Sequence, residues 1–184
     1  MFSRINPIGK LIAFILIILF IPLYLFAMIG ILISMGRPIF YNKKRLGKDK
    51  KLFTCYKFRT MTIGKRVRND SNPVGKEEDD IRITKFGKFL RSLSIDEIPQ
   101  LFNILKGDMN IIGVRPCEED EVEFLPEERF LHKPGLSGAV DRWRGIELSK
   151  EEVYNQEKEF SINYDFKAKC KALKSGFKAI WRNK

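Results

Sequence analysis

An uninterrupted apolar run covers residues 11–35, and no charged side chain lies within it. A run of this length can cross a bilayer as a helix. It is longer than the apolar region of a typical signal peptide, and no small-x-small cleavage site follows, so cleavage is not expected. Pro22 lies near the middle of the run and predicts a kink, because proline removes a backbone donor and clashes with the preceding turn.

Positive charge flanks this run on both sides. Arg4 and Lys10 precede it, and Arg37, Lys43, Lys44 and Arg45 follow it. A spanning helix usually has its basic residues mainly on the cytoplasmic side. Two interpretations therefore stay open: a kinked spanning helix, which composition alone slightly favours, and a broken hairpin that enters and leaves the same leaflet.

The pattern after the run predicts a small, helix-rich α/β domain. Residues 42–51 are basic and contain a glycine, which predicts a turn, and residues 52–61 alternate as a strand does. Lys57 and Arg59 would share one face of that strand. They could discourage edge pairing or be directed at a phosphate. Residues 62–80 are polar and predict a loop.

Apolar residues at helical spacing predict helices over 85–93 and 95–105, with a break in the second at Pro99. Residues 110–114 predict a short buried strand, and the acidic segment 118–128 predicts the start of a helix that is interrupted at Pro126. Residues 160–181 predict a basic amphipathic helix. Such a helix can lie on an anionic membrane or pack on the core.

The charge balance of the chain limits the classes of binding partner that we expect. The chain has 34 Lys and Arg against 23 Asp and Glu, a net charge of +11, which indicates an anionic partner. No nucleic-acid-binding motif is present, so we expect a phosphorylated substrate and membrane lipids and no nucleic acid. His132 is the single histidine, which argues against a zinc hydrolase and a Ser-His-Asp triad. Three widely spaced cysteines predict idle thiols.

The candidate chemistry centres on two adjacent carboxylates, Asp96 and Glu97, in a basic neighbourhood that includes Arg91 and Arg115. Such a set suits a diphosphate with a divalent cation. Spacing alone favours a second interpretation, in which Ser94 and Glu97 form a helix capping box and Asp96 complements the helix dipole. The two interpretations are compatible, because a helix N-terminus is itself an anion site. Likewise, Arg91 could be a solvated helix charge, and Arg115 could pair with the acidic segment.

Residues 82–116, including LRSLSIDEIPQL and NILKGDM, resemble the signature of the bacterial sugar transferases, the monotopic phosphoglycosyl transferases. YKFRTM at 56–61 and KPGLSG at 133–138 extend the resemblance. It implies that residues 1–36 form a re-entrant membrane anchor broken at a proline, and that residues 37–184 form a catalytic domain. It also implies a location on the cytoplasmic face of the bacterial inner membrane.

The resemblance further implies an activity. Asp96 would attack a UDP-sugar and release UMP, and the sugar phosphate would pass from the aspartate to a membrane polyprenyl phosphate, which initiates glycoconjugate or exopolysaccharide synthesis. Asp96 and Glu97 would hold Mg²⁺. The phosphate-binding cations would be Lys57, Arg59, Arg91 and Arg115.

The sequence departs from the family pattern at several positions. Lys43 stands where the family usually has glutamine, and Val114 stands where it usually has the proline before Arg115. After Gly138 the family's glutamine-valine and glycine-arginine pairs are not matched, and either Arg142 or Arg144 could replace the family arginine. The departure after Gly138 supports an alternative, a membrane scaffold of the same fold with weakened catalysis. The sugar and the polyprenol stay open.

Overall fold

The computed structural model describes residues 6–63, 82–138, 149–165 and 167–170. Most of the loop predicted over 62–80 and most of the helix predicted over 160–181 lie outside these residues. Arg142 and Arg144 also lie outside them. The described C-terminal part contains helix α5 (Lys150–Ile162), which Ser149 and Glu152 begin with a capping box, and a further helical stretch at 167–170, so the helix predicted over 160–181 is interrupted at 163–165. Helix α5 was not predicted.

Two helices form the N-terminal hairpin, α1 (Pro7–Leu19) and α2 (Ile21–Met35), bent by 60° at the break. Pro22 lies in the first turn of α2, where a missing backbone donor costs no helical bond. The predicted kink is therefore confirmed. In the described part of the chain no helix could cross a membrane alone, whereas this bent pair has the length and composition to do so. The re-entrant geometry stays a prediction.

One side of this hairpin is packed and the other is open. Ala13 and Ala27 are fully buried against the domain, and Tyr24 donates a 2.9 Å hydrogen bond to the carbonyl of Ile98. Many outward-facing side chains are large, apolar and exposed, including Leu11, Phe14, Ile18, Ile29 and Ile33. An exposed apolar surface of this extent marks a contact with membrane or with another protein.

Strands β1 (Phe40–Leu46) and β2 (Leu52–Phe58) form an antiparallel hairpin, with Tyr41 opposite Lys57. The strand predicted over 52–61 is confirmed for the β2 residues. The turn predicted over 42–51 is wrong for residues 42–46, which belong to β1. Their side chains are mostly exposed and polar, so no apolar alternation marks the strand, and pairing with β2 forms it. The turn itself is a short 3-10 helix, Lys48–Lys50.

Helix α3 (Lys85–Ser92) is confirmed to within one residue. The second predicted helix is divided at Pro99, as expected, into a 3-10 turn (Ile95–Glu97) and α4 (Gln100–Lys106). The acidic segment forms 3-10 helices Glu119–Phe124 and Glu127–Leu131, with Pro126 between them.

A second small sheet pairs β3 (Asn110–Ile112) with β4 (Gly135–Ser137) in parallel. The described residues thus form the predicted helix-rich α/β domain with little sheet. Helix α2 ends at Met35 and β1 begins at Phe40. The division into units 1–36 and 37–184 stays a prediction.

Candidate active site

The two adjacent carboxylates lie on the 3-10 turn between α3 and α4. Ser94, which precedes this turn, has a left-handed backbone (φ 56°), and its side chain makes no capping hydrogen bond. The capping-box interpretation is therefore wrong, because the backbone at Ser94 turns its side chain out of the capping position. Ile95 is buried in the core and anchors the turn, and Asp96 is 9% exposed.

Lys57 on β2 reaches this turn. Its Nζ lies 2.7 Å from Oε1 of Glu97, and both side chains are largely shielded from solvent. The structure therefore brings together two of the predicted site residues that are 40 positions apart in the chain. Their functional role stays a prediction.

An open cleft lies beside Lys57 and Glu97. Its volume is about 400 Å³ when the solvent at its mouth is included. Its lining residues are Arg45, Cys55, Lys57, Glu97, Gln100, Arg115, Pro116, Gly135 and Leu136. Three cationic side chains and one carboxylate therefore face the same space, which suits a ligand with more than one negative charge. Asp96 adjoins the lining through its neighbour Glu97 and is not itself part of it.

Six of the nine lining residues were missing from the predicted site, among them the side chains of Cys55, Gln100 and Arg45. Cys55 lies two residues before Lys57 on the same strand, and Gln100 lies one turn beyond Glu97, so periodicity could have found both. Burial raises the pKa of the Cys55 thiol above its usual value, and this outweighs the nearby Lys57. Cys55 is therefore a protonated, unreactive part of the wall at neutral pH.

Arg45 is the cationic residue among those missing from the predicted site. Its Nη2 lies 2.9 Å from Oε1 of Glu118, and its Nη1 lies 3.7 Å from Glu121. Lys43 also pairs with Glu118. The acidic segment thus anchors part of the cationic wall, a contact that depends on the tertiary fold and has no local sequence signal.

Arg115 enters the cleft from the segment that follows β3. The backbone of this segment is held on two sides, because Gly135 donates to the carbonyl of Val114 and Leu46 donates to the carbonyl of Cys117, each at 2.9 Å. The side chain of Arg115 lines the cleft and the residue is exposed. It is therefore accessible to a ligand.

The other two predicted cations lie elsewhere. Arg91 on α3 donates through Nε to Oγ1 of Thr60 at 2.9 Å. Helix α3 lies so close to this strand end that a Cβ at Gly87 would be 2.0 Å from the Thr60 carbonyl oxygen. Arg91 is therefore held by a hydrogen bond against Thr60, just after β2, and a phosphate role for it stays a prediction.

Arg59 is 5% exposed, and its Nη2 donates to the carbonyls of Met35 at 2.7 Å and Gly36 at 2.6 Å. It does not line the cleft formed by the described residues. Strand β2 ends at Phe58, so the alternation that would place Arg59 beside Lys57 stops one residue too early. Arg59 lies at the joint between α2 and the domain, and its predicted phosphate role is untested.

The carboxylates of Asp96 and Glu97 suit a divalent cation that substrate oxygens also coordinate. Within the described ranges, no three His, Cys, Asp or Glu side chains come together as a metal cluster. Mg²⁺ commonly uses one or two carboxylates together with substrate phosphates and water. Asp96 and Glu97 provide two adjacent carboxylates, which match that requirement.

Comparisons with known proteins identify the family of the chain. The family model described as "Bacterial sugar transferase" matches residues 5–182. The exopolysaccharide production protein ExoY of Sinorhizobium fredii is 43% identical over 159 residues, covering 74% of this chain and 70% of that protein.

Two longer relatives carry more specific names. The undecaprenyl-phosphate galactose phosphotransferase of Salmonella typhimurium is 40% identical over 120 residues, covering 56% of this chain and 25% of that protein. The UDP-glucose:undecaprenyl-phosphate glucose-1-phosphate transferase of Klebsiella pneumoniae is 34% identical over 152 residues, covering 78% and 32%. The chain thus spans a third or less of these two proteins. By its match over nearly its whole length, the chain belongs to the bacterial sugar transferase family and is a transferase enzyme.

Proposed function

We propose that this chain transfers a sugar-1-phosphate from a UDP-sugar to a polyprenyl phosphate and releases UMP, as an initiating step of exopolysaccharide or related glycoconjugate synthesis. The observation that carries the proposal is the cationic cleft beside the Asp96-Glu97 turn. The names of the Salmonella and Klebsiella relatives support the same reaction class.

The cleft suits the diphosphate of the donor. Arg45, Lys57 and Arg115 present charged hydrogen-bond donors to one space. Charge-assisted bonds to phosphate oxygens are roughly twice as strong as neutral ones. Lys57 already has a carboxylate partner in Glu97, so a bound phosphate would share or replace that partner.

Asp96 is the proposed nucleophile. A carboxylate oxygen of Asp96 attacks the sugar-proximal phosphorus, the bond from that phosphorus to the UMP oxygen breaks, and UMP takes the electron pair. A phosphate oxygen of the polyprenyl phosphate then attacks the same phosphorus and returns the carboxylate. The covalent intermediate divides one difficult displacement into two easier steps.

Mg²⁺ is the proposed cofactor, with Asp96 and Glu97 as its protein ligands. When bound, it supplies charge neutralisation of the diphosphate, which reduces repulsion of an anionic nucleophile. The fit rests on the two carboxylates and on the cleft beside them, which leaves room for substrate oxygens.

The hairpin accounts for access to the lipid acceptor. Its inner face is continuous with the domain core, where Ala13 packs with Leu101 and Ile104, and Ala27 packs with Leu90. Its outer face is apolar and exposed. We therefore propose that the hairpin is seated in the bacterial inner membrane, with the cleft on the cytoplasmic side, where UDP-sugars are available.

The test is UMP release from a panel of UDP-sugars, with polyprenyl phosphate, Mg²⁺ and the full chain in detergent or vesicles. Asp96→Asn should lower turnover at least about 1,000-fold, since loss of a nucleophile removes the covalent route. Asp120→Asn changes an exposed carboxylate in the acidic segment and should leave turnover within about twofold of the native value.

A second readout addresses the intermediate directly. Native protein incubated with the reactive UDP-sugar and no acceptor should gain the mass of one sugar phosphate, and Asp96→Asn should gain none. Turnover that persists in Asp96→Asn would exclude Asp96 as the nucleophile. If the folded, membrane-bound native protein has no turnover with any donor, the scaffold alternative is favoured.

A further inference from the structure

Arg115 is an exposed side chain on a fixed backbone. Its side chain lines the cleft, and the residue lies in the short segment between β3 and the acidic 3-10 helix. The direction of an exposed arginine depends on the position of its own backbone. The groups that hold this backbone in place therefore affect the position of Arg115 in the cleft.

One such group is Arg129, on the 3-10 helix Glu127–Leu131. Its Nη2 donates to the carbonyl oxygen of Arg115, and its Nη1 lies 3.2 Å from Oε2 of Glu157 on α5. Arg129 and Glu157 are each only 3% exposed. A buried contact between an arginine and a glutamate thus connects helix α5 to the backbone of a cleft residue.

This pair is costly to bury. Burial raises the pKa of Glu157 to about 7, and this effect exceeds the opposing effect of Arg129 and Arg115, while Glu121 raises the pKa further. Buried ion pairs contribute little net stability compared with apolar residues of similar size. The contact between Arg129 and Glu157 therefore affects the geometry of this segment more than its stability.

Other contacts of α5 converge on the same segment. Phe160 packs on Val114, and the hydroxyl of Tyr164 donates to the carbonyl of Ile112 at 2.6 Å. Helix α5 and the residues after it therefore contact the chain immediately before Arg115, while Arg129 holds Arg115 itself. Together they restrain the segment that presents Arg115 to the cleft.

We propose that Arg129 and Glu157 are positioning residues, which hold the backbone of Arg115 so that its guanidinium meets a phosphate of the donor. This inference rests on the proposed function. Neither residue itself lines the cleft, so each acts through Arg115. An arginine suits the task because its planar fork donates in two directions at once, which a lysine cannot reproduce.

The test replaces the pair by apolar residues, Arg129→Met with Glu157→Leu, in the full membrane-bound chain. We expect a melting temperature within about 5 °C of the native value, because such replacements are commonly neutral or stabilising. We expect kcat/KM for the UDP-sugar to fall about 10- to 100-fold, as misplacement of a site residue by about 1 Å can produce.

The matched control is Glu128→Gln with Lys158→Met. This pair joins the same two elements at 3.5 Å through partly exposed side chains, next to Arg129 and Glu157 in sequence. Its loss should leave kcat/KM within about twofold of the native value, since exposed pairs contribute little. A merely structural role of the contact between these elements would affect both variants similarly.

A double-mutant cycle with Arg115→Ala tests the route of action. If the pair acts through Arg115, the apolar pair variant should change the same parameter, kcat or KM, as Arg115→Ala does. Combining the two changes should then lower activity no further than Arg115→Ala alone. Additive losses, or full activity in the apolar pair variant, would overturn the inference.

Hydrogen exchange makes the test independent of turnover. The amides of Gly113, Val114, Arg115 and Cys117 should exchange faster in the apolar pair variant than in the native protein, and the control pair should leave them unchanged. If the native protein lacks turnover, the proposed function fails while exchange still decides whether the pair restrains this segment. Unchanged exchange would overturn the inference in either case.

Discussion

The ammonium group of Lys57 lies 2.7 Å from a carboxylate oxygen of Glu97, which joins strand β2 to the turn that carries the candidate nucleophile. Their side chains are 23% and 17% exposed, so the pair is shielded but accessible from the cleft. A partly shielded pair of this kind holds two charges in register while leaving Lys57 able to bind an anionic ligand.

Replacement of Lys57 tests this contact. Lys57→Met should lower kcat/KM for the UDP-sugar about 10- to 100-fold, because a charged hydrogen bond is worth about 1.5–3 kcal/mol. The melting temperature should change little, since partly exposed pairs contribute at most about 1 kcal/mol. Steady-state kinetics and a thermal melt measure the two effects.

Lys44→Met is the matched control for Lys57→Met. Lys44 lies on the same β-hairpin, is exposed, and donates to Oγ1 of Thr54 at 3.0 Å. It should retain native kinetics. Equal kinetics for the Lys57 and Lys44 variants would contradict a role for Lys57 in donor binding.

Gln100 offers a second prediction. It is 3% exposed and lines the cleft, and among the described residues no hydrogen bond to its side chain is found. Gln100→Leu should weaken donor binding about 10-fold or more, since a neutral donor or acceptor for the ligand is lost. The free protein should be about as stable as the native one, because leucine breaks no hydrogen bond of this side chain among the described residues.

The readouts for Gln100→Leu are the dissociation constant for UDP, used as a diphosphate probe, and the melting temperature. Native affinity for UDP combined with a lower melting temperature would show a structural role for Gln100 instead. Gln100→Asn shortens the side chain and keeps the amide, so its affinity should lie between those of the native protein and the leucine variant.

Features set by local chemistry were predictable from the sequence. Pro22 and Pro99 mark the two breaks because proline cannot continue a helix beyond its first turn. The alternation through β2 places Lys57 on the cleft side with Cys55. The family signature identified Asp96, Glu97 and Arg115 as candidates, and the structure places Glu97 and Arg115 around one cleft.

Features set by tertiary contacts were not predictable. Residues 42–46 form β1 only because β2 pairs with them, and their polar side chains gave no strand pattern. The left-handed backbone of Ser94 excludes a capping box that its spacing favoured. The proposed positioning role of Arg129 depends on its buried contacts with Glu157 on α5 and with the Arg115 carbonyl. No short-range sequence pattern encodes these contacts.

Replacement of Arg59 distinguishes a structural role of this residue from a role in phosphate binding. Its contacts with the Met35 and Gly36 carbonyls predict that Arg59→Met destabilises the joint between hairpin and domain by about 2 kcal/mol. The melting temperature should fall by roughly 4–8 °C. The fraction that stays folded should keep a KM for the UDP-sugar within about threefold of the native value. A raised KM at unchanged stability would instead support the predicted phosphate contact.

Glu157 predicts a pH dependence of stability. Burial raises its pKa in the folded protein to about 7, against 4.5 for an ordinary glutamate. Between these two pH values the folded state keeps a proton that the unfolded state has released, so this group's contribution to stability is full below pH 4.5 and is lost as pH rises towards 7.

Glu157→Gln removes this titrating group and tests the prediction. The free energy of unfolding of the native protein minus that of the variant should therefore fall by up to about 3 kcal/mol across this window and stay constant above it. Denaturant titrations at a series of pH values measure the difference, and Glu159→Gln, an exposed change on the same helix, serves as the control. A difference that rises with pH would mean that the attraction of Arg129 outweighs burial, and Glu157 would then be ionised throughout the window.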